Sequence, residues 1–179
     1  PFQKNMEFAV ASTKSPSGMT LAGKYGAGVL SIGATATAGL QALPRQWSFA
    51  EESAAKHKKV ADRKTWRILM SWHIAETREK AREQAGGGLM RHNNEYTVAT
   101  LRGGEGTIFK TPDEAVDETA FSDQSVAVIG TPDDLVAKIR EMVAITGGFG
   151  CVIGFAHDWA NREDTRRSWD MVARYVIPE

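Results

Sequence analysis

Short apolar segments of strand length alternate with helical segments along the whole chain, and this alternation constrains the fold more than any other feature. Four segments are predicted to be strands, at about 7–12, 28–32, 66–75 and 150–156. Continuous apolar strands separated by helices are typical of a parallel sheet that is covered on both faces. The pattern therefore predicts an α/β fold built from βα units.

The number of units narrows the architecture further. Four βα units are half of a (β/α)8 barrel, which takes about 250 residues, whereas this chain has 179. Half a barrel alone would expose two sheet edges and an unfilled interior. We therefore expect residues 1–179 to be one half of a TIM (β/α)8-barrel domain, completed by a partner half. The pattern breaks at about 86–111, which predicts an irregular insertion there, a lid or a surface excursion.

Helix boundaries follow from capping residues and apolar periodicity. Thr131-Pro132-Asp133-Asp134 is a helix start with a threonine cap, a proline in the first turn and carboxylates at the positive end of the dipole. A short apolar segment, Val126–Gly130, precedes it. The other predicted helices cover about 17–24, Pro44 or Ser48 to Val60, a segment from Thr77, and 161–176.

The first predicted strand runs into a hydroxyl-rich turn that opens the first helix. Ser15, Ser17 and Thr20 offer hydroxyl groups, Lys14 offers an ammonium group, and Gly18 lets backbone N–H groups approach a ligand. These are the donors that bind phosphate at a helix N-terminus. Ser-Pro-Ser-Gly is also an ordinary turn with local side-chain caps, so the segment by itself leaves both interpretations open.

Composition excludes several classes of protein. Twenty-two basic and 22 acidic residues balance, so no overall field favours nucleic acid or an anionic membrane. No long apolar run or signal segment is present, and we expect a cytoplasmic protein. Cys151, the one cysteine, lies in an apolar run and is expected to be buried in a reducing compartment. No Cys/His spacing suggests a metal ligand set, and no Ser-His-Asp order suggests acyl transfer.

Several segments, taken in order, resemble the C-terminal half of bacterial-luciferase-like flavin monooxygenases. The similarity runs the full length of the chain and lies in four blocks: Ala9–Gly18, Leu21–Ser31, Gly130–Asp134, and Gly147–Gly150 with Tyr175–Pro178.

The resemblance implies a TIM barrel, usually dimeric, that uses reduced FMN or, in one branch, the deazaflavin F420. It implies that the Ser15 and Ser17 hydroxyls and the Gly18 and Met19 amides surround the flavin phosphate. Ser12 would lie nearer the ribityl chain, and Lys14 stands where bioluminescent relatives tend to carry an acidic residue. A cation beside a phosphate is electrostatically favourable.

The same resemblance implies oxygenation of a small organic substrate with reduced flavin and O₂, and a flavin reductase as supplier of the cofactor. Most binding and acid–base groups of the family come from the N-terminal strands. We therefore expect the active site to need the N-terminal half of the barrel.

Two histidines are candidates for contact with substrate or flavin. His73 lies in the longest predicted strand and His157 follows the last one, where TIM barrels place their chemistry. The alternative for His73 is a hydrogen-bonded core or interface side chain, and for His157 a loop turn. Tryptophans 47, 66, 72 and 169 are expected to be core or interface anchors.

Three functions remain open at this point. The first is a flavin-dependent monooxygenase, and the second is an F420-dependent oxidoreductase of the same fold that transfers hydride without O₂. The third is a non-catalytic module that binds flavin or pairs with an active subunit.

Overall fold

The computed structural model describes residue 2, residues 6–13, 15–33, 35–101, 103–123 and 125–179. These residues form two compact units, one of residues 1–70 with 141–154 and the other of residues 71–140 with 155–179. Parallel strands alternate with helices in both. The strands are β1 (Ala9–Ser12), β2 (Gly28–Ser31), β3 (Trp66–Ile74), β4 (Ala127–Gly130) and β5 (Cys151–Phe155). The helices are α1 (Pro16–Tyr25), α2 (Thr37–Lys56), α3 (Arg78–Arg91), α4 (Pro112–Val116), α5 (Pro132–Thr146) and α6 (Arg162–Met171).

In the first unit, β1 and β2 pair in parallel with Ser12 opposite Ser31, and β2 pairs in parallel with the start of β3. Strand β5 also pairs with β3. The indole N–H of Trp66 donates to the Ser31 hydroxyl at 2.9 Å, and the Trp66 ring stacks on Trp47 of α2 with centroids 4.5 Å apart. This pair fixes α2 against the sheet, and both tryptophans are the core anchors that the sequence predicts.

Helix α2 begins earlier than predicted. It starts at Thr37 and contains Pro44 within it, whereas Pro44 or Ser48 was the expected start. The physical reason is a stripe of buried side chains at helical spacing that runs through the proline. The buried stripe consists of Leu40, Leu43, Trp47, Ala50 and Ala54. Packing of this stripe offsets the hydrogen bond that the proline removes.

In the second unit, the end of β3 pairs in parallel with β4, with Ser71 opposite Ala127. The sequence prediction of four strands therefore misses one, because β4 has only four residues and its apolar segment is short. A core of small apolar side chains, with Phe109 and Trp159, lies between β4 and helices α3 and α4.

The segment predicted to be irregular is helical for more than half of its length. Helix α3 extends to Arg91, and π-helical turns continue it from His92 to Leu101. The Asn94 side chain then fastens the extended part that follows, since its amide donates to the Phe109 carbonyl at 2.8 Å and accepts from the Phe109 N–H at 3.0 Å. Regular structure returns at Pro112.

Cys151 is exposed, so the prediction of a buried thiol is wrong. The apolar run around it favours burial on both faces of the strand, but β5 is exposed at Cys151 and at Phe155. An apolar run does not reveal which face of a strand the rest of the chain covers. None of the helices within the described residues has the length and apolarity of a membrane span.

Two adjacent glycines of α3, Gly87 and Gly88, allow a matched test of how closely this helix packs against the backbone of Trp159. A Cβ at Gly88 would overlap the Trp159 carbonyl oxygen, whereas a Cβ at Gly87 meets nothing within 4 Å. We expect Gly88→Ala to lower the free energy of unfolding by about 1–3 kcal/mol and Gly87→Ala to raise it by up to about 1 kcal/mol. Urea unfolding of the two variants measures both changes, and an equal effect at the two positions would contradict the close approach.

Candidate functional site

The predicted phosphate-binding turn forms the N-terminus of α1. Ser15 is the N-cap residue, but its side chain makes no capping hydrogen bond, and Pro16 occupies the first turn. The hydroxyl oxygens of Ser15 and Ser17 lie 2.6 Å apart and are exposed. Two hydroxyl groups therefore point to the same place at a helix end that no side chain caps.

Backbone donors are available at the same place. The first N–H groups of a helix have no intrahelical partner, and the proline at the first position has none to offer. This leaves the N–H groups of Ser17 and Gly18, whereas helix geometry bonds the Met19 N–H to the Ser15 carbonyl. The first turn of α1 contains no carboxylate, in contrast to α6, where Asn161 caps the helix and Glu163 and Asp164 occupy the first turn. The end of α1 is thus suited to an anion.

Gly18 brings the helix end onto the strand that precedes it. A Cβ at this position would lie 2.7 Å from the Ala11 carbonyl oxygen and 3.0 Å from the Ser12 Cβ. These contacts involve backbone, so a larger residue would push α1 away from β1. The glycine that the sequence assigns to ligand approach also has a packing reason.

The other residues assigned to this turn are placed less directly. Ser12 is 3% exposed, and its hydroxyl has no hydrogen-bond partner among the described residues. Ser12 lies directly against Gly18. Its contact with the ribityl chain stays a prediction. The Met19 side chain is buried, and Lys14 lies outside the described residues.

A second group of candidate residues lies in the other unit, around His157. The Nε2 atom of His157 is 3.0 Å from the hydroxyl oxygen of Ser71 in β3. The ring stacks on Trp159 with centroids 4.4 Å apart and planes 5° apart. Phe155 and His92 meet it edge-on at 4.5 and 5.1 Å. We call Ser71, His92, Phe155, His157 and Trp159 the imidazole cluster.

The imidazole cluster keeps His157 uncharged. Burial lowers the pKa of His157 to about 4, with His92 acting in the same direction and Asp158 opposing it. The sequence interpretation of His157 as a plain loop turn does not account for this setting. Sequence reasoning missed Ser71 and His92 altogether, because only tertiary packing brings them to His157.

His73 is the satisfied core side chain that the sequence allowed as an alternative. It is buried, and its Nε2 atom lies 3.0 Å from the Gln84 amide oxygen. Burial lowers its pKa. Trp72 and Trp169 contact each other with centroids 4.8 Å apart. Within the described residues, no group of three or more His, Cys, Asp or Glu side chains is arranged to hold a metal ion.

The two histidines predict a pH dependence of stability. Their pKa values in the folded protein lie below the ordinary 6.5, so the unfolded chain binds their protons first as the pH falls. Unfolding then takes up protons, and the free energy of unfolding decreases as the pH falls from about 6.5 toward the folded pKa values. We expect the urea midpoint to fall between pH 7 and pH 5 and to fall less in His157→Gln. A slope that His157→Gln leaves unchanged would contradict an uncharged His157.

Comparison with known proteins relates the chain to monooxygenases. No family model matches it. It is 35% identical over 97% of its length to 4-hydroxyprotoasukamycin monooxygenase of Streptomyces nodosus subsp. asukaensis, covering 46% of that protein. It is 36% identical over 97% of its length to limonene 1,2-monooxygenase of Rhodococcus erythropolis, covering 44% of that protein. The chain thus spans about half the length of the curated relatives it matches.

Solved structures show the same fold. The oxygenating constituent of 3,6-diketocamphane monooxygenase from Pseudomonas putida, a type II Baeyer-Villiger monooxygenase in complex with FMN, superposes with a TM-score of 0.73 and 23% identity. The match covers 98% of this chain and 49% of that one. Monooxygenase RslO1 from Streptomyces bottropensis matches with a TM-score of 0.71 and 21% identity over 99% of this chain and 49% of its own.

A more distant neighbour uses another cofactor. The coenzyme F420 dependent tetrahydromethanopterin reductase from Methanopyrus kandleri has a TM-score of 0.61 and 18% identity, covering 97% of this chain and 50% of that one. The fold is that of about half of a TIM barrel, as the sequence predicted. The chain is similar over nearly its whole length to proteins named monooxygenases and shares the fold of the FMN-bound one, and the resemblance stated from its motifs is confirmed.

Proposed function

We propose that this chain is the C-terminal half of a flavin-dependent monooxygenase that uses reduced FMN and O₂ to oxygenate a small organic substrate. The observation that carries the proposal is the N-terminus of α1, where two serine hydroxyls 2.6 Å apart lie at an uncapped helix end. Similarity to monooxygenases over 97% of the chain supports it. Reduced FMN, when bound, supplies the electrons with which O₂ is activated.

Several residues of the turn contribute to binding the flavin phosphate. The Ser15 and Ser17 hydroxyls and the Ser17 and Gly18 amides donate to its oxygens, and the helix dipole favours its charge. We include Lys14 as a further cation beside the phosphate. Met19 supports the turn from the core, and Ser12 lies beneath it at the end of β1.

The rest of the barrel completes the site. Because the chain spans about half of its relatives, we propose that an N-terminal half-barrel supplies the remaining substrate-binding and acid–base groups. A homo-oligomer, a flavin reductase partner and a cytoplasmic location are further parts of this proposal, on the strength of the resemblance alone.

An F420-dependent oxidoreductase is the second candidate, because an F420-dependent reductase has the same fold over nearly the whole chain. Oxygen consumption separates the two. The complete protein, supplied with reduced FMN and a substrate, should consume O₂ in step with product formation. Hydride transfer from reduced F420 without O₂ uptake would favour the second candidate, and flavin binding without either reaction would favour a non-catalytic module.

The phosphate contacts give a direct prediction. Ser15→Ala with Ser17→Ala should weaken FMN binding by about 2–4 kcal/mol, since a hydrogen bond to a charged group contributes about 1.5–3 kcal/mol and the losses at two hydroxyls in contact do not fully add. This corresponds to a rise of about 30- to 700-fold in the dissociation constant. Fluorescence titration of the complete protein with FMN measures it.

A matched control is Ser48→Ala on α2, which removes a hydroxyl whose partner among the described residues is the nearby Arg45. It should bind FMN as the parent protein does. Unchanged FMN affinity in the double serine variant would refute the phosphate assignment.

A further inference from the structure

One ring nitrogen of His157 in the imidazole cluster has a hydrogen-bond partner among the described residues, and the other has none. His157 follows the end of β5, and Ser71 lies in the second half of β3. The carboxyl ends of barrel strands are where TIM-barrel enzymes carry their chemistry. Phe155, beside the imidazole, is half exposed, so the cluster is not sealed within the core.

Rings on three sides fix the orientation of His157. The Trp159 indole is parallel to it, within 5°, and is itself buried. His92 and Phe155 contact it at steep angles, 70° and 63°. Turning the imidazole ring over would disturb its stack on Trp159, whose backbone lies directly against Gly88 of α3.

The hydroxyl of Ser71 determines which ring nitrogen carries the proton. Ser71 is 9% exposed, and its hydroxyl has a single partner among the described residues, the Nε2 atom of His157. A buried hydroxyl proton needs an acceptor, and Nε2 is the acceptor that the described residues offer it, which favours Ser71 as the donor. A neutral imidazole then carries its proton on Nδ1, for which the described residues offer no hydrogen-bond acceptor.

The residues around His157 limit the kind of acceptor that its Nδ1–H group can bind. The ring is uncharged, its nearest neighbours are aromatic, and the titratable groups that act on it are His92 and Asp158. A carboxylate or phosphate would find no positive charge on the neutral imidazole and would meet the Asp158 charge. An uncharged oxygen, as in a ketone, meets no such repulsion.

We propose that the Nδ1–H group of His157, held by Ser71 and by the stack on Trp159, binds an uncharged oxygen acceptor of the organic substrate. His157 is then a substrate-binding residue, and Ser71 positions it by fixing its tautomer. The inference rests on the proposed monooxygenase function, because it assigns this oxygen to the molecule that is oxygenated.

Two measurements without turnover test the inference on the complete protein. In protein labelled with ¹⁵N-histidine, NMR should show His157 as the Nδ1–H tautomer at neutral pH. Cyclohexanone should shift its Nδ1 resonance saturably, whereas cyclohexene at equal concentration should not. An Nε2–H tautomer, or an Nδ1 resonance that cyclohexanone does not move, would overturn the proposal.

Paired variants check the two roles. Asparagine places its amide near the position of Nδ1 and glutamine places it near Nε2, so His157→Asn should bind cyclohexanone within about twofold of the parent and His157→Gln about fivefold more weakly, the effect of one hydrogen bond. Ser71→Thr should retain the tautomer and Ser71→Ala should mix the two forms. Equal affinity in the His157 pair would count against Nδ1 as the donor.

The FMN titration of the serine variants is independent of these results. A normal His157 response together with unchanged FMN affinity in the double serine variant would refute the phosphate site while leaving the imidazole assignment standing. Loss of FMN affinity in the double serine variant, together with a His157 Nδ1 resonance that cyclohexanone does not move, would refute the imidazole assignment while leaving the phosphate site standing.

Discussion

Close approach of helix backbone to neighbouring backbone, which only glycine permits, sets the geometry of both candidate sites. At Gly18 the first turn of α1 lies on the end of β1, with the Ala11 carbonyl 2.7 Å from where a Cβ would be. At Gly88 helix α3 lies directly against the Trp159 backbone. The first contact positions an uncapped helix end, and the second brings α3 against the backbone of the residue whose indole stacks on His157.

The two candidate sites differ in the electrostatic environment that they offer a ligand. The N-terminus of α1 combines exposed hydrogen-bond donors with the positive end of the helix dipole, and this combination suits an anionic group. The imidazole cluster instead removes water from a titratable ring, so that burial and the neighbouring His92 lower its pKa to about 4. The first environment therefore suits a charged ligand group and the second suits an uncharged one.

The sequence predicted elements well where local signals were strong. The threonine, proline and acidic residues at 131–134 mark the start of α5, and the cap at Thr77 marks α3. Predictions failed where a local signal competed with packing. Pro44 indicated a helix start, yet α2 runs through it because the buried stripe from Leu40 to Ala54 extends across the proline. Cys151 was expected to be buried, because an apolar run does not report which face is covered.

The sequence by itself determined the βα order, the relation to flavin monooxygenases, and the serine-rich turn at the head of α1, because each depends on residues that are neighbours along the chain. Tertiary structure alone decided that Ser71, His92 and Trp159 surround His157, residues separated by up to 88 positions. It also decided that His73 is satisfied by Gln84. The reason is that hydrogen bonding and desolvation of a side chain depend on which distant residues pack around it, and no local pattern records them.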